Sequence, residues 1–253
     1  MTAENGPKNN LIAVASGKGG VGKTWFAITL AHALARAGRK VLLFDGDLGL
    51  ANIDIQLGLM PKSDVGQAIA GKTRLTRCIE RYPDGNFDVL AGRSGSGSLA
   101  SLPQPRIERL GRELIAIAGM YDHVLVDLGA GVDRTVQSLA AMAGRALLLV
   151  NDEPTSLTDG YAFLKLGWQA HPDMRIDVVV NSADSLDKGR ATFTKLEKSS
   201  NAFLKRVPAL LGVVRRDNKV RDAIRAQSLL ITRSPTSDAA GDVEKIADAI
   251  RRG

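Results

Sequence analysis

Short apolar runs alternate with longer stretches of helical periodicity along almost the whole chain. The runs at residues 11–15, 41–44, 87–90, 123–126, 146–150, 176–180 and 209–214 predict strands. Several are continuously apolar, as strands buried on both faces are. After the first run, Phe26, Leu30, Ala33 and Leu34 recur at helical spacing and stop at Gly38, a residue suited to a left-handed helix end. Further helices are predicted over 105–118, 156–169, 188–205 and 242–251. This alternation predicts an α/β fold with a doubly wound, mostly parallel sheet of about seven or eight strands. The Gly/Ser-rich stretch at 92–101 reads as a surface loop, because strand and helix patterns resume on both sides of it. No repeat period appears, so the expected organisation is a flexible segment at residues 1–10 followed by one domain over 11–253.

With 253 residues, 44% of them hydrophobic, the chain has enough apolar surface for a full core, which excludes disordered and fibrous classes. Lys and Arg number 34 against 27 Asp and Glu, and the resulting charge of +7 favours anionic partners: phosphate, nucleic acid or acidic lipid. The single cysteine, Cys78, has no partner for an internal disulfide, and His32, His123 and His171 lack metal-ligand spacing, so zinc chemistry drops out. The run at 11–15 is too short for a signal core or a membrane span, and a cytoplasmic location is expected.

The strongest chemical signal is Gly17-Lys18-Gly19-Gly20-Val21-Gly22-Lys23-Thr24, which fits G-x-x-x-x-G-K-[ST] between the first strand and the first helix. Glycines let backbone N–H groups and the positive end of the following helix converge on phosphate oxygens. Lys23 is placed to neutralise the terminal phosphates, and the Thr24 hydroxyl to reach a magnesium ion.

Three aspartates are candidates for metal and water. Asp45 and Asp47 follow the second strand at i, i+2, a spacing that turns both carboxylates to one side of an extended chain. A polar turn ending the strand explains them equally well. Asp127 ends the apolar run Val124-Leu125-Val126 and is followed by Leu128-Gly129-Ala130-Gly131, a Walker B pattern that reaches metal through water. Asn181 ends Val178-Val179-Val180, where an amide offers one donor and one acceptor to an adenine edge, or simply terminates a strand.

The second lysine of the loop, Lys18, makes Ser16 to Thr24 resemble the deviant Walker A motif of the MinD/ParA ATPases. The resemblance implies a P-loop NTPase fold, ATP/ADP and Mg2+ as cofactors, and a homodimer formed on ATP binding. It implies that Lys18 reaches the nucleotide of the other subunit, where a solvated charge is the alternative. Asp47 then orients the attacking water, and Thr24, Asp45 and Asp127 form the metal shell. Lys18, Lys23 and Asp47 make the catalytic set. Gly17, Lys18, Gly19, Gly20, Val21, Gly22, Lys23, Thr24, Trp25 and Asn181 make the nucleotide-binding set. Trp25 departs from the small or polar residue usual after the motif threonine, and Arg215 and Arg216 stand where relatives carry Pro and an apolar residue.

Asp47 to Leu59, Asp152 to Ala162, and Val220 to Gln227 with Arg233-Ser234-Pro235 are similar to the FlhG (FleN/YlxH) branch. That branch controls the number and placement of flagella. The similarity implies flagellar assembly proteins or an FlhF-like GTPase as partners, although residues 1–10 lack the Asp-Gln-Ala segment with which that branch stimulates such a GTPase. It also implies peripheral contact with the inner face of the membrane or a cell pole. Val243, Ile246, Ala247 and Ile250 with Lys245, Arg251 and Arg252 read either as an amphipathic membrane helix or as a helix buried on its own domain. The cluster Lys205, Arg206, Arg215, Arg216, Lys219, Arg221 and Arg225 carries the alternative of a ParA-like DNA- or cargo-positioning ATPase. A nucleotide-gated scaffold with incidental hydrolysis is the third reading.

Overall fold

Strand and helix alternate as the apolar pattern requires. In chain order the elements are β1 (Leu11–Ser16), α1 (Lys23–Arg36), β2 (Val41–Gly46), α2 (Ile53–Leu57), α3 (Val65–Ile69), β3 (Ile79–Tyr82), β4 (Phe87–Leu90), α4 (Gln104–Ala118), β5 (His123–Ala130), α5 (Arg134–Ala143), β6 (Arg145–Val150), α6 (Pro154–Ala170), β7 (Arg175–Ala183), α7 (Leu186–Leu204), β8 (Ala209–Arg215), α8 (Asn218–Arg225), α9 (Leu230–Arg233) and α10 (Asp238–Arg252). The computed structural model describes residues 10–47, 49–92 and 103–252. The expected N-terminal segment apart from Asn10, Leu48 of the acidic segment, and residues 93–101 of the expected loop lie outside the described residues.

The eight strands form one sheet in the order β3-β4-β2-β5-β1-β6-β7-β8. Every pairing is parallel except β3 against β4. β3 escapes the apolar pattern because it is a short edge strand with Glu80 and Arg81 at its centre, so no continuous run announces it. Gly38, at φ 78°, sits just past the end of α1, as expected of a left-handed residue closing a helix. Lys205 is also left-handed and ends α7 at Leu204, one residue before the expected limit.

Helices cover both faces. One core layer holds side chains of α4, α5, α6 and α7, including Leu114, Leu139, Phe163 and Phe193. The other holds α1, α9 and α10, including Phe26, Leu34, Ile231 and Ile246. Helix α10 turns Ala239, Ala240, Val243, Ile246, Ala247 and Ile250 into this second layer. Its apolar face is therefore occupied by its own fold and not free for a bilayer. Among the described residues, no helix is long and apolar enough to cross a membrane.

β1 and its neighbour β5 are left toward opposite faces of the sheet, by α1 into the second core layer and by α5 into the first. In open α/β sheets the crevice at the C-terminal ends of such strands is where ligands bind, and the loop from β1 to α1 opens into it.

Candidate functional site

The loop after β1 forms a cradle of backbone donors. Helix α1 begins at Lys23 with Gly22 before it at φ 95°, no side chain caps it, and its first turn carries no acidic residue. Its first N–H groups therefore keep their full pull on an anion. Gly22 is required twice, since its φ disfavours any side chain and a Cβ there would run into the Trp25 indole and the Asn181 amide nitrogen. At Gly17 the constraint is close approach, because the backbone of Asp159 in α6 occupies the place of a side chain.

The charged side chains beneath the cradle are buried and mismatched. Lys23 is buried, and its Nζ donates to Ser16 Oγ at 3.1 Å. Burial pulls its pKa below the ordinary lysine range, while the charges of Asp127 and Asp47 oppose that fall. Asp45 and Asp127 are register partners on β2 and β5. Burial, then the neighbouring Asp127, pushes Asp45 up to about 8. Burial likewise pushes Asp127 up to about 7, against a hydrogen bond with the Thr24 side chain and the Lys23 charge. Asp127 Oδ1 is buried without a hydrogen-bond partner.

The aspartates divide their tasks differently from the expectation. Asp45 is not a free metal ligand: its Oδ1 accepts the Asp47 N–H at 3.2 Å, and its Oδ2 accepts the N–H groups of Asn52 and Ile53 at 3.0 and 3.1 Å. It organises the turn that leads into α2. Asp47 accepts the Leu50 N–H at 3.0 Å, and its carboxyl lies 3.5 Å from where a Gly129 side chain would begin. The residues that fit magnesium are thus Thr24 and Asp127, whose Oδ1 has no hydrogen-bond partner among the described residues. Among the described residues no three acidic or histidine side chains build a complete cage. Magnesium does not need one when phosphate and water supply most of its oxygens.

Two further expectations change with the structure. Lys18 does not extend outward: its Nζ pairs with Glu153 and donates to Thr155 Oγ1 at 2.9 Å, at the start of α6. Hydrogen bonds from Lys18 and Asn151 hold the Glu153 carboxyl below its usual range. Asn181 does not present a free amide either. Its Nδ2 donates to the Val21 carbonyl at 2.7 Å and its Oδ1 accepts the Ser182 N–H at 2.9 Å, which ties β7 to the cradle. Ser182, not Asn181, reaches the cavity wall.

That cavity, of about 720 Å³, runs from Gly19–Trp25 past Asp47 and Glu153 to Arg216, Asn218, Val220 and Ile224. Its volume suits a nucleotide-sized ligand. Arg215 borders it, but its guanidinium turns to α10, donating to Asp242 at 2.8 and 2.9 Å and pairing with Asp238 at 2.7 Å. Arg206 is also spent internally, stacked 4.3 Å from the Trp168 ring and bonded to the Pro172 and Met174 carbonyls. The basic cluster read from sequence therefore loses two members to packing. Glu153, Asn151 and the segment from Arg216 to Ile224 belong to the site and carry no individual motif. Resemblance across segments marked Glu153 and Val220 to Ile224, Arg216 and Lys219 entered through the basic cluster, and no signal in the sequence marked Asn151 or Asn218.

A loop of backbone donors after β1, a buried lysine, and an orphaned carboxylate across from it define a phosphate-binding nucleotide site. A family model described as the CobQ/CobB/MinD/ParA nucleotide binding domain matches residues 12–230, and the chain belongs to that family. It is 38% identical over 240 residues to the antiactivator FleN of Pseudomonas aeruginosa, covering 95% of this chain and 85% of FleN. It is 26% identical over 245 residues to the flagellum site-determining protein YlxH of Helicobacter pylori, covering 96% of this chain and 82% of YlxH. The solved structure of MinD from Pyrococcus horikoshii, complexed with Mg-ADP, matches with a TM-score of 0.78 and 25% identity over 94% of each chain.

Proposed function

We propose that this chain is a magnesium-dependent ATPase switch that pairs with a second copy around ATP and through that cycle sets the number or placement of flagella. The likeness to FleN and YlxH supports the flagellar output. The observation that carries the site chemistry is the buried Lys23 of the donor cradle together with an Asp127 oxygen that has no hydrogen-bond partner among the described residues. The two charges offset each other only in part, and a triphosphate with its cation would satisfy both. Magnesium, when bound, neutralises charge on the terminal phosphates. In this reading the N–H groups of residues 19–24 and Lys23 hold the phosphate chain, Thr24 and Asp127 face the metal, and Asp47 orients water. Lys18 must leave Glu153 and Thr155 to reach the partner's nucleotide, so pairing of two copies competes with that internal contact. Residues 11–253 act as one ATPase domain in the cytoplasm. Since α10 is buried, contact with the inner membrane face or a pole is made through partners such as flagellar assembly proteins or an FlhF-like GTPase.

Asp47→Ala tests the assignment. ATP binding is retained, hydrolysis falls by at least about 100-fold, and the variant accumulates as a dimer by light scattering while wild type returns to monomer. Unchanged turnover removes Asp47 from the mechanism.

A further inference from the structure

The nucleotide cavity has two unlike ends. Residues 19–24 supply backbone donors and the Lys23 and Thr24 side chains, whereas the adjoining wall sets the Trp25 ring, Val220 and Ile224 among the polar Arg216, Asn218 and Arg221. Trp25 follows the motif threonine directly and stands in the first turn of α1, where the cradle gives way to that mixed wall. The nitrogen edge of its indole lies over Gly22. The same ring lines a small groove with Ile28, Val220, Ala223 and Ile224, so it fills the gap between α1 and α8.

The other tryptophan shows what a structural indole looks like in this chain. Trp168 is buried, donates its N–H to the Met174 carbonyl at 3.2 Å, and is capped by Arg206. Trp25 is half-buried, meets Phe26 edge-on at 6.4 Å, and among the described residues has no acceptor on its N–H. A phosphate chain seated in the cradle must continue into its sugar and base beyond the last backbone donor, and an aromatic surface at that point suits a flat heterocycle.

We propose that the Trp25 indole, held over Gly22 between the cradle and α8, is the surface on which the nucleoside part of the bound nucleotide rests. This rests on the ATPase reading of the same cavity and adds a residue that distinguishes a nucleotide from a bare polyphosphate.

Trp25 emission, taken as the difference between wild type and Trp25→Phe, is followed with Mg-ADP, Mg-ATP and Mg-tripolyphosphate, with calorimetry in parallel. ADP and ATP change that emission, and tripolyphosphate, which fills the cradle without a nucleoside, does not. Trp25→Ala weakens ADP about tenfold, and Trp25→Phe, which keeps an aromatic wall, restores affinity to within about twofold. Tripolyphosphate affinity stays the same in all three proteins. Heat from ADP with unchanged Trp25 emission, an equal response to tripolyphosphate, or wild-type ADP affinity in Trp25→Ala each overturns this inference while leaving the ATPase reading standing. No heat from ATP or ADP overturns both.

Discussion

Two groups of buried charge flank the cavity, and they are built in opposite ways. At the C-terminal side, Asp242 is 2% exposed and accepts the Arg215 backbone N–H at 3.2 Å along with two guanidinium N–H groups, and Lys245 stands 3.5 Å away. Burial opposes its charge, but the Arg215 hydrogen bonds outweigh that, and its pKa falls below the ordinary carboxylate range. At the cradle, Asp127 is equally buried, keeps an oxygen without a partner, and is driven upward. The first group closes its own charge and fastens α10 to β8. The second leaves charge unbalanced, which costs stability and prepares the site for a ligand that carries what is missing. On the proposed reading one cluster is structural and the other functional, though both are acidic groups beside a cation.

The contrast breaks if both clusters answer alike to mutation. Lys23→Met should reduce ATP hydrolysis about 1000-fold, while urea unfolding of the nucleotide-free protein shows no loss of stability, because a poorly compensated buried cation has been removed. Asp242→Ala should do the reverse. It destabilises the fold by about 3 kcal/mol in the same assay by removing the acceptor of three Arg215 hydrogen bonds, although the Arg215–Asp238 pair remains, and it leaves Mg-ADP affinity near wild type.

Acid sharpens the same difference. On α1, burial first and Arg36 second lower His32 to about 4, and its Nδ1 has no partner. The unfolded chain takes up that proton near pH 6.5 and the folded chain does not. Stability is therefore full above pH 6.5 and drains as pH falls toward 4, by up to about 3 kcal/mol. His32→Leu should flatten this limb in pH-dependent thermal unfolding. The Asp242 contribution is present above the unfolded carboxylate pKa of 3.8 and is lost only as pH falls below that toward its lowered folded value. The smallest effect belongs to the exposed contact: Glu153→Gln should leave the unfolding curve unchanged but raise the dimer fraction at limiting ATP, measured by light scattering. An unchanged dimer fraction would show that the Lys18–Glu153 pair does not restrain pairing.

Much of the site was legible because its chemistry is local. Gly17 to Thr24 must follow a strand and open a helix to work, and that context is visible in the periodicity on either side. Asp127 was readable because a carboxylate closing a short apolar run is a recognisable pattern, although β5 does not end there but continues to Ala130. Lys18 and Asn181 were identified as important, but their partners were not, since Glu153 lies 135 residues from Lys18 and Val21 lies 160 residues from Asn181. The hydrogen bonds of Asp45 were not legible because spacing shows which side of a strand a carboxylate faces, not which amides will turn back to meet it. The edge strand β3 was missed because its centre is charged.

By itself, the order of residues determined the alternating strand and helix plan, the donor loop and its lysine, and the nucleotide family to which they belong. These depend on contacts a few residues apart and on the backbone geometry that glycine permits. Only the folded chain decided which charges are satisfied and which are left open, that α10 spends its apolar face inside, and that Trp25 stands at the cavity wall. Those outcomes depend on groups brought together from distant positions and removed from water in a common interior, where a missing partner is costly and an available one defines the role.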